Sequence, residues 1–469
     1  MAVTRGAPET HEVVVQKLVH GGQGLGELAD GRKVFVWGAL PGERLRVRII
    51  TQKRSYAEAV AEEVLEASPD RVVPVETNYL ATSPWQILNF AAENRYKAAI
   101  VRELFTQAGV DTAALLRPVS FRARPGIVKG LSDASKQSTT VSEAVIFAEP
   151  SLHYRNKMEY SFWGDDDGLH LALHQRGSHG KYIVQGSALA LPAVDAAAHV
   201  ILDELRKLEV RAGDLKTLVV RCDQKDAAVA SLFVKPNEFP RLKLPSQTKN
   251  PLWEDSPPKV SDVSFRGLRV YHSNPKSPAS VATKLLYEVG DCHLRDELLG
   301  KTFCYDVDSF FQVNVPVYER ALADIGAHCQ GDPVDMYAGV GTIGLSVARK
   351  AVTLVELDAA TAAMGRKNAA ASGLKATVVE TSTEKALEYI DGSRPVVFDP
   401  PRAGLHAKVV ARCLAVRPPQ ILYLSCNPAT QARDVALLQD AYTVTNMTIY
   451  NFFPRTPHIE ALTVLTLNS

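Results

Sequence analysis

Cys426 stands in LYLSCNPATQARD, residues 422–434, where an apolar run breaks into Ser, Cys, Asn and Pro. A cysteine placed only for packing sits more comfortably one or two residues earlier, inside the strand. At the strand's end it is either a small residue closing the turn or a nucleophile at the rim of a pocket. One cysteine does not decide between these. Two acids occupy comparable places. Glu356 ends the run TLVEL, 17 residues after Gly339 of DMYAGVGTIGLSVA, in which Gly339, Gly341 and Gly344 have GxGxxG spacing. Glycines there permit a tight turn and close backbone approach to a ligand, and an acid at the next strand tip can accept both hydroxyls of a ribose. The pair points to a cofactor containing adenosine, either a dinucleotide or S-adenosylmethionine. Asp399 opens the third such corner, VVFDPPRAGL at 396–405. Its two prolines remove two backbone donors and stiffen an acidic turn.

These residues need a sheet that brings strand ends to one edge. After residue 301 short apolar strands (PVDMY, TLVEL, PVVFD, QILYLS) alternate with helical segments, which predicts a doubly wound, mostly parallel sheet with ligands at its carboxyl edge. The runs YTVTNMTIYNFF and IEALTVLTL are expected to pair antiparallel at one edge. Upstream, residues 11–66 read as short strands broken by Gly and Pro-Gly turns, a small barrel of the OB type. Residues 93–109 form an amphipathic helix with a glycine stop. GLSDASKQSTT at 130–140 reads as a loop. From about 143 to 300 strands and helices mix in an α+β pattern, with a Pro- and Ser-rich interval at 245–259.

A chain of 469 residues is too long for one ordinary domain. No apolar run approaches a membrane span, and the N-terminus lacks the apolar core of a signal peptide. The six cysteines are scattered without a CxxC pair, against both a structural zinc site and a disulfide scaffold. A soluble cytoplasmic protein is expected, without membrane association. A monomer is the default, since oligomeric state has no direct signal here. Net charge is only +1, so a nucleic-acid partner would have to meet a local patch. Between Arg32 and Arg54 seven basic residues face one acid, Glu43. Phe35, Trp37 and Tyr56 nearby could stack bases, but core packing is expected for at least two of them.

The DPPR corner resembles motifs of methyltransferases acting on bases, which favours S-adenosylmethionine over a dinucleotide. More specifically, YRNKMEYSF (154–162), SFFQVN (309–314), DMYAGVGTIGLSVA, DPPRAGL, SCNPAT-ARD and FFPRTPHIE, in this order, closely resemble the RNA uracil-C5 methyltransferases. Residues 11–66 resemble the TRAM domain found at the start of many members. The resemblance implies an α/β fold: a Rossmann-like methyltransferase domain (93–124 and 301–469), an OB-like TRAM barrel (8–68) and an α+β middle RNA-binding domain (75–92 and 125–300). It makes Cys426 the nucleophile and Glu460 the general base. Gln312, Tyr337, Thr342, Glu356 and Asp399 fall at positions that hold S-adenosylmethionine, although many members carry another polar residue where Thr342 stands. The implied partner is RNA, with 23S ribosomal RNA the expected substrate and a transfer RNA T-loop uridine the alternative. No metal site is expected. Many TRAM-bearing members bind an iron–sulfur cluster, but TNYLATSPWQILNF (77–90) has no cysteine and Ser187 stands at the matching middle-domain position. No iron–sulfur cluster is therefore expected, and Trp85 with apolar neighbours is expected to fill the space.

The chemistry explains the residue types. C5 of uracil is a poor nucleophile until a thiolate adds to C6 and pushes electron density onto C5. C5 can then accept a methyl group from a sulfonium, a base removes the C5 proton, and loss of the thiol restores the ring. Two other readings compete: a non-catalytic RNA-binding or folding factor, disfavoured by the intact Cys426 and Glu460, and a nicotinamide oxidoreductase, which leaves SCNP, DPPR and the barrel unexplained.

Overall fold

The computed structural model describes residues 10–112, 139–142, 145–176, 180–244, 264–277 and 279–469. Of the loop expected at 130–140, residues 130–138 lie outside the described residues, as does the Pro- and Ser-rich interval at 245–259, whereas Thr139 and Thr140 open a strand, Thr139–Ser142, and correct the expectation there. Strands Thr10–Leu18, Gly24–Glu27, Lys33–Trp37, Arg44–Gln52 and Tyr56–Glu66 close into a barrel, with the fifth strand between the third and the fourth. Its interior follows the period-two alternation of the sequence: Val13, Val15, Val34, Val36, Leu45, Val47, Ala57 and Ala59 pack inward. Phe35 and Trp37 therefore lie on the outer face. This corrects the expectation of core packing. Phe35 meets Tyr56 edge-to-face at 5.8 Å, and Arg176 of the middle unit covers Trp37 at 4.1 Å.

The basic stretch is also corrected. Arg32 pairs with Asp30, Lys33 with Glu27, Arg44 with Glu12 and Glu66, Arg46 with Glu63, and Arg48 with Glu62. Strands Thr10–Leu18 and Tyr56–Glu66 flank Arg44–Gln52, so their acids lie beside its arginines although they are distant in sequence. The edge is an exposed ion-pair ladder rather than a bare cationic patch.

The middle unit is built on a seven-stranded sheet drawn from residues 157–290, covered by the helix Pro192–Lys207. The catalytic unit is a nine-stranded sheet in the order Lys375–Glu380, Ala351–Glu356, Val334–Met336, Val396–Phe398, Gln420–Ser425, Glu460–Leu467, Tyr442–Tyr450, Val145–Ala148, Thr139–Ser142. The first five are parallel. Strands Glu460–Leu467 and Tyr442–Tyr450 pair antiparallel, but they do not form the edge. Val145–Ala148 adds to Tyr442–Tyr450 and carries Thr139–Ser142 beyond it. Residues 139–148 thus join the catalytic sheet, not the middle unit in which the expected boundary at 125 puts them.

Both faces of this sheet are buried, which is why its strands are continuously apolar. In Gln420–Ser425, Ile421 and Tyr423 pack into one core and Leu422 and Leu424 into the other. The helix Phe90–Gln107 starts three residues earlier than expected because Asn89 caps it, accepting from Ala92 N at 2.8 Å. Gly109 ends it in the left-handed region (φ 79°). Its Ala98, Val101 and Phe105 share a core with Ala432, Val435 and Leu438 of the helix Pro428–Leu438.

The segments expected to lack cluster cysteines are joined by side chains. Gln86 Nε2 donates to Glu76 Oε2 (2.8 Å) and Ser83 Oγ (2.7 Å), and Glu76 Oε1 accepts from Ala188 N at 2.6 Å, next to buried Ser187. Trp85 was expected to fill that space with apolar neighbours. It is buried against the barrel, donating Nε1–H to Gly22 O at 3.1 Å.

Candidate active site

Parallel strands deliver their ends to one edge. Tyr337, Asp399 and Cys426 each follow a strand directly, and Glu356 closes one. Glu460 reaches the same edge from the opposite direction. Ser425 pairs with Ala461 in the antiparallel ladder, so the next positions along the two strands are Cys426 and Glu460. The register alone sets Cys426 beside Glu460.

Cys426 is half-buried in the turn between its strand and the helix Pro428–Leu438. Ser425 Oγ accepts from Asn427 N (3.1 Å), and Asn427 Oδ1 caps the helix through Ala429 N (3.2 Å). Burial, reinforced by Glu460 and Asp399, pushes the thiol up to about 12, while Arg402 pulls it down. Glu460 is fully buried, and its Oε1 has no hydrogen-bond partner among the described residues. Burial and then Asp399 raise its carboxyl well above the ordinary range. Burial raises Asp399 to about 7. Two neighbouring carboxyls in a dry site cannot both ionise cheaply.

The remaining expected residues surround the glycine turn. Gly339 has positive φ (57°) and open space on its Cβ side, while a Cβ at Gly344 would collide with Leu354 and Asp335. Gly339 leaves room for a ligand, and Gly344 lets helix and strand close together. Glu356 holds the turn: Oε2 accepts from Gly339 N (2.9 Å) and Oε1 from Asp358 N (2.7 Å), each oxygen keeping a lone pair for a ribose hydroxyl. Tyr337 adopts φ 79°, a conformation that costs a non-glycine residue about 1–3 kcal/mol and marks a constrained turn. Thr342 begins the helix Thr342–Val347 and hydrogen-bonds the buried Tyr318 hydroxyl. Gln312 is buried, and its Oε1 has no hydrogen-bond partner among the described residues. Buried acceptors without partners, an open glycine turn and a diol-capable carboxylate fit a cofactor with a ribose and a cationic centre.

Four residues here were not singled out in the sequence. Asp335 is buried and raised to about 7, one oxygen accepting from Gly344 N at 2.7 Å and the other without a partner among the described residues. Its signal was an acid inside the apolar strand PVDMY. Asn314, with both amide atoms unpartnered among the described residues, is visible only as the last letter of SFFQVN, and Tyr318 has no comparable signal. Arg402 is visible only as the last letter of DPPR.

A raised carboxyl makes a specific demand on stability. The unfolded chain loses the Asp399 proton near the ordinary carboxylate pKa, and the folded chain keeps it until about 7. Asp399 therefore subtracts stability increasingly as pH rises through that window. Cofactor-free Asp399→Asn protein should melt above the wild type at pH 8, and the gap should close toward pH 5. Calorimetric scans across pH check this; a constant gap would contradict the shift.

Comparisons with known proteins bear on the whole chain. Residues 8–61 match the TRAM domain, and residues 282–468 match the family described as tRNA (Uracil-5-)-methyltransferase. A Lactiplantibacillus plantarum protein named an uncharacterized RNA methyltransferase is 27% identical, over 97% of this chain and 97% of its own. A relative of the same description from Enterococcus faecalis is 28% identical, over 97% of this chain and 96% of its own. Among solved structures, the Pyrococcus abyssi tRNA (uracil-54, C5)-methyltransferase in complex with S-adenosyl-L-homocysteine superposes with a TM-score of 0.70. It is 20% identical and covers 97% of this chain and 100% of its own, so the whole fold is shared. The chain belongs to the RNA uracil-C5 methyltransferase family, as an S-adenosylmethionine-dependent enzyme with an N-terminal TRAM domain.

Proposed function

We propose that this enzyme methylates C5 of a uridine in 23S ribosomal RNA through a covalent bond between Cys426 Sγ and C6 of the base, with Glu460 removing the C5 proton. The observation that carries the reading is the strand register, which sets Cys426 next to Glu460 at the carboxyl edge of the sheet. When bound, S-adenosylmethionine supplies a methyl group on a cationic sulfur. Gln312, Tyr337, Thr342, Glu356 and Asp399 would hold it, with Glu356 taking the ribose diol. Asp335 keeps the glycine turn in shape through Gly344. Cys426 and Glu460 are both held neutral by burial in the free protein. Positive charge entering the site lowers both and prepares thiolate and carboxylate together.

The target base must leave its stack to expose C6, at a cost of a few kcal/mol. Phe310, 68% exposed beside buried Phe311 and Gln312, offers a ring on which a displaced base can stack. The barrel's paired arginines would engage phosphates only by exchanging their carboxylate partners, so the ladder favours positioning over strong non-specific binding. A cytoplasmic location is proposed to accompany this function. No helix among the described residues is long and apolar enough to cross a membrane.

A transfer RNA T-loop uridine is the second reading, favoured by the likeness to the Pyrococcus abyssi tRNA (uracil-54, C5)-methyltransferase. Tritium release from C5-labelled uridine separates the two. Ribosomal and transfer RNA transcripts would each be incubated with enzyme and S-adenosylmethionine, with Cys426→Ala protein as the blank. Release from the ribosomal transcript alone supports the first reading, and release from the transfer RNA alone the second. Release from neither would overturn both assignments of substrate.

A further inference from the structure

A nucleophilic cysteine that burial and two carboxyls push up needs positive charge beside it, and the neutral groups at its rim narrow the choice of residue. Three segments meet at the mouth of the site. The barrel loop brings His20, which hydrogen-bonds Asn427. The loop before strand Glu460–Leu467 brings His458, and the DPPR corner brings Arg402. There is no room for a Cβ on Gly22 beside Pro457, so the barrel loop and the His458 loop are in direct contact. Neither histidine supplies charge at neutral pH. Burial and Arg402 lower His458 to about 4, with Lys97, Arg155 and Arg176 adding to the effect, and burial lowers His20 against its bond to Asn427.

Arg402 is held differently from an ordinary surface arginine. Its carbonyl accepts from Asn427 Nδ2 (2.8 Å) and Thr430 Oγ1 (3.2 Å), both in the turn and first helical residues after Cys426. Its guanidinium donates to His458 Nδ1 at 3.4 Å, two residues before Glu460. Backbone and side chain are thus tied to the segments that carry the thiol and the base. The electrostatics agree, since Arg402 lowers both Cys426 and Glu460, against Asp399, which raises both.

We propose that Arg402 is a positioning residue for the reaction: clamped to Asn427 and Thr430 through its carbonyl and to His458 through its guanidinium, it is the resident cation that favours the thiolate of Cys426, to which the charge of the entering cofactor adds. The inference rests on reading Cys426 as the nucleophile, but its test does not need turnover. Iodoacetamide alkylates the thiolate, forming an S–CH2 bond and releasing iodide, while the thiol proton goes to buffer. The rate at Cys426, followed by peptide mass spectrometry across pH in the full-length protein, reports thiolate formation at that sulfur.

Arg402→Gln should move the alkylation profile to higher pH by about one unit, read as roughly tenfold slower labelling below the midpoint. Arg402→Lys, which keeps the charge, should restore most of the rate. His458→Ala, which frees the guanidinium without removing it, should fall between them. The substituted side chains leave the Arg402 carbonyl clamp in place, and an unchanged melting curve would verify the fold. If Arg402→Gln unfolds, the His458→Ala and Arg402→Lys profiles still decide. A wild-type profile in Arg402→Gln, or in His458→Ala where only that variant folds, would overturn the proposal and leave thiolate formation to the helix N-terminus behind Cys426. Failure of the nucleophile assignment would look different: Cys426→Ala would retain methylation whatever the alkylation profile shows.

Discussion

Cys426→Ala should abolish methyl transfer, with turnover falling by on the order of 10⁴-fold or more, while S-adenosylmethionine binding stays within a few-fold of wild type. The separation follows from placement. The thiol sits past the strand Gln420–Ser425, whereas the glycine turn, Glu356 and Asp335 are tied to one another across the preceding strands. Calorimetric titration with cofactor beside a tritium-release assay checks both halves. Turnover retained in the variant would rule out the covalent route, and lost binding would place Cys426 in the cofactor pocket instead.

The second large effect concerns product release rather than attack. Glu460→Gln should let the first bond form but leave the C5 proton with no acceptor, so a protein–RNA conjugate should accumulate and turnover fall by about two to four orders of magnitude. Glutamine preserves the shape at a buried position and removes a carboxyl that burial holds well above its ordinary range. The variant should therefore be at least as stable as the wild type at alkaline pH. A slow band on denaturing gels that needs both RNA and S-adenosylmethionine, and disappears with Cys426→Ala added to Glu460→Gln, is the expected result. Absence of that band in otherwise folded protein would remove Glu460 from the role of base.

Much of this geometry was legible in the sequence because a parallel sheet has one chemical edge. Glu356, Asp399 and Cys426 are each found at the end of an apolar run, and a doubly wound order brings such ends together without further information. What failed was partnership across long distances. Arg44, Arg46 and Arg48 read as a patch because Glu12, Glu62, Glu63 and Glu66 are remote in the chain, although adjacent strands put them within ion-pair reach. VIFA at 145–148 carries no sign that its partner is Tyr442–Tyr450. Phe35 and Trp37 looked like core residues by type, but period-two alternation gave the interior to Val34 and Val36. Asp335 passed for part of an apolar strand, and a charged residue at such a position was the available warning.

Strand Glu460–Leu467 lies inside the nine-stranded sheet, flanked by Gln420–Ser425 and Tyr442–Tyr450, yet it follows every other strand of that sheet in the chain. During synthesis the sheet must therefore wait, with the slot beside Gln420–Ser425 open, until its last strand emerges. Helix Phe90–Gln107 must wait as well for Pro428–Leu438, whereas the barrel closes on contacts among residues 10–66 alone. Domains generally fold as units in order of emergence, and non-local pairing comes late. The barrel can thus close before Cys426 acquires its neighbour, and with the roles proposed for Cys426 and Glu460 the chain is expected to stay chemically silent on the ribosome until insertion of one strand brings the two together.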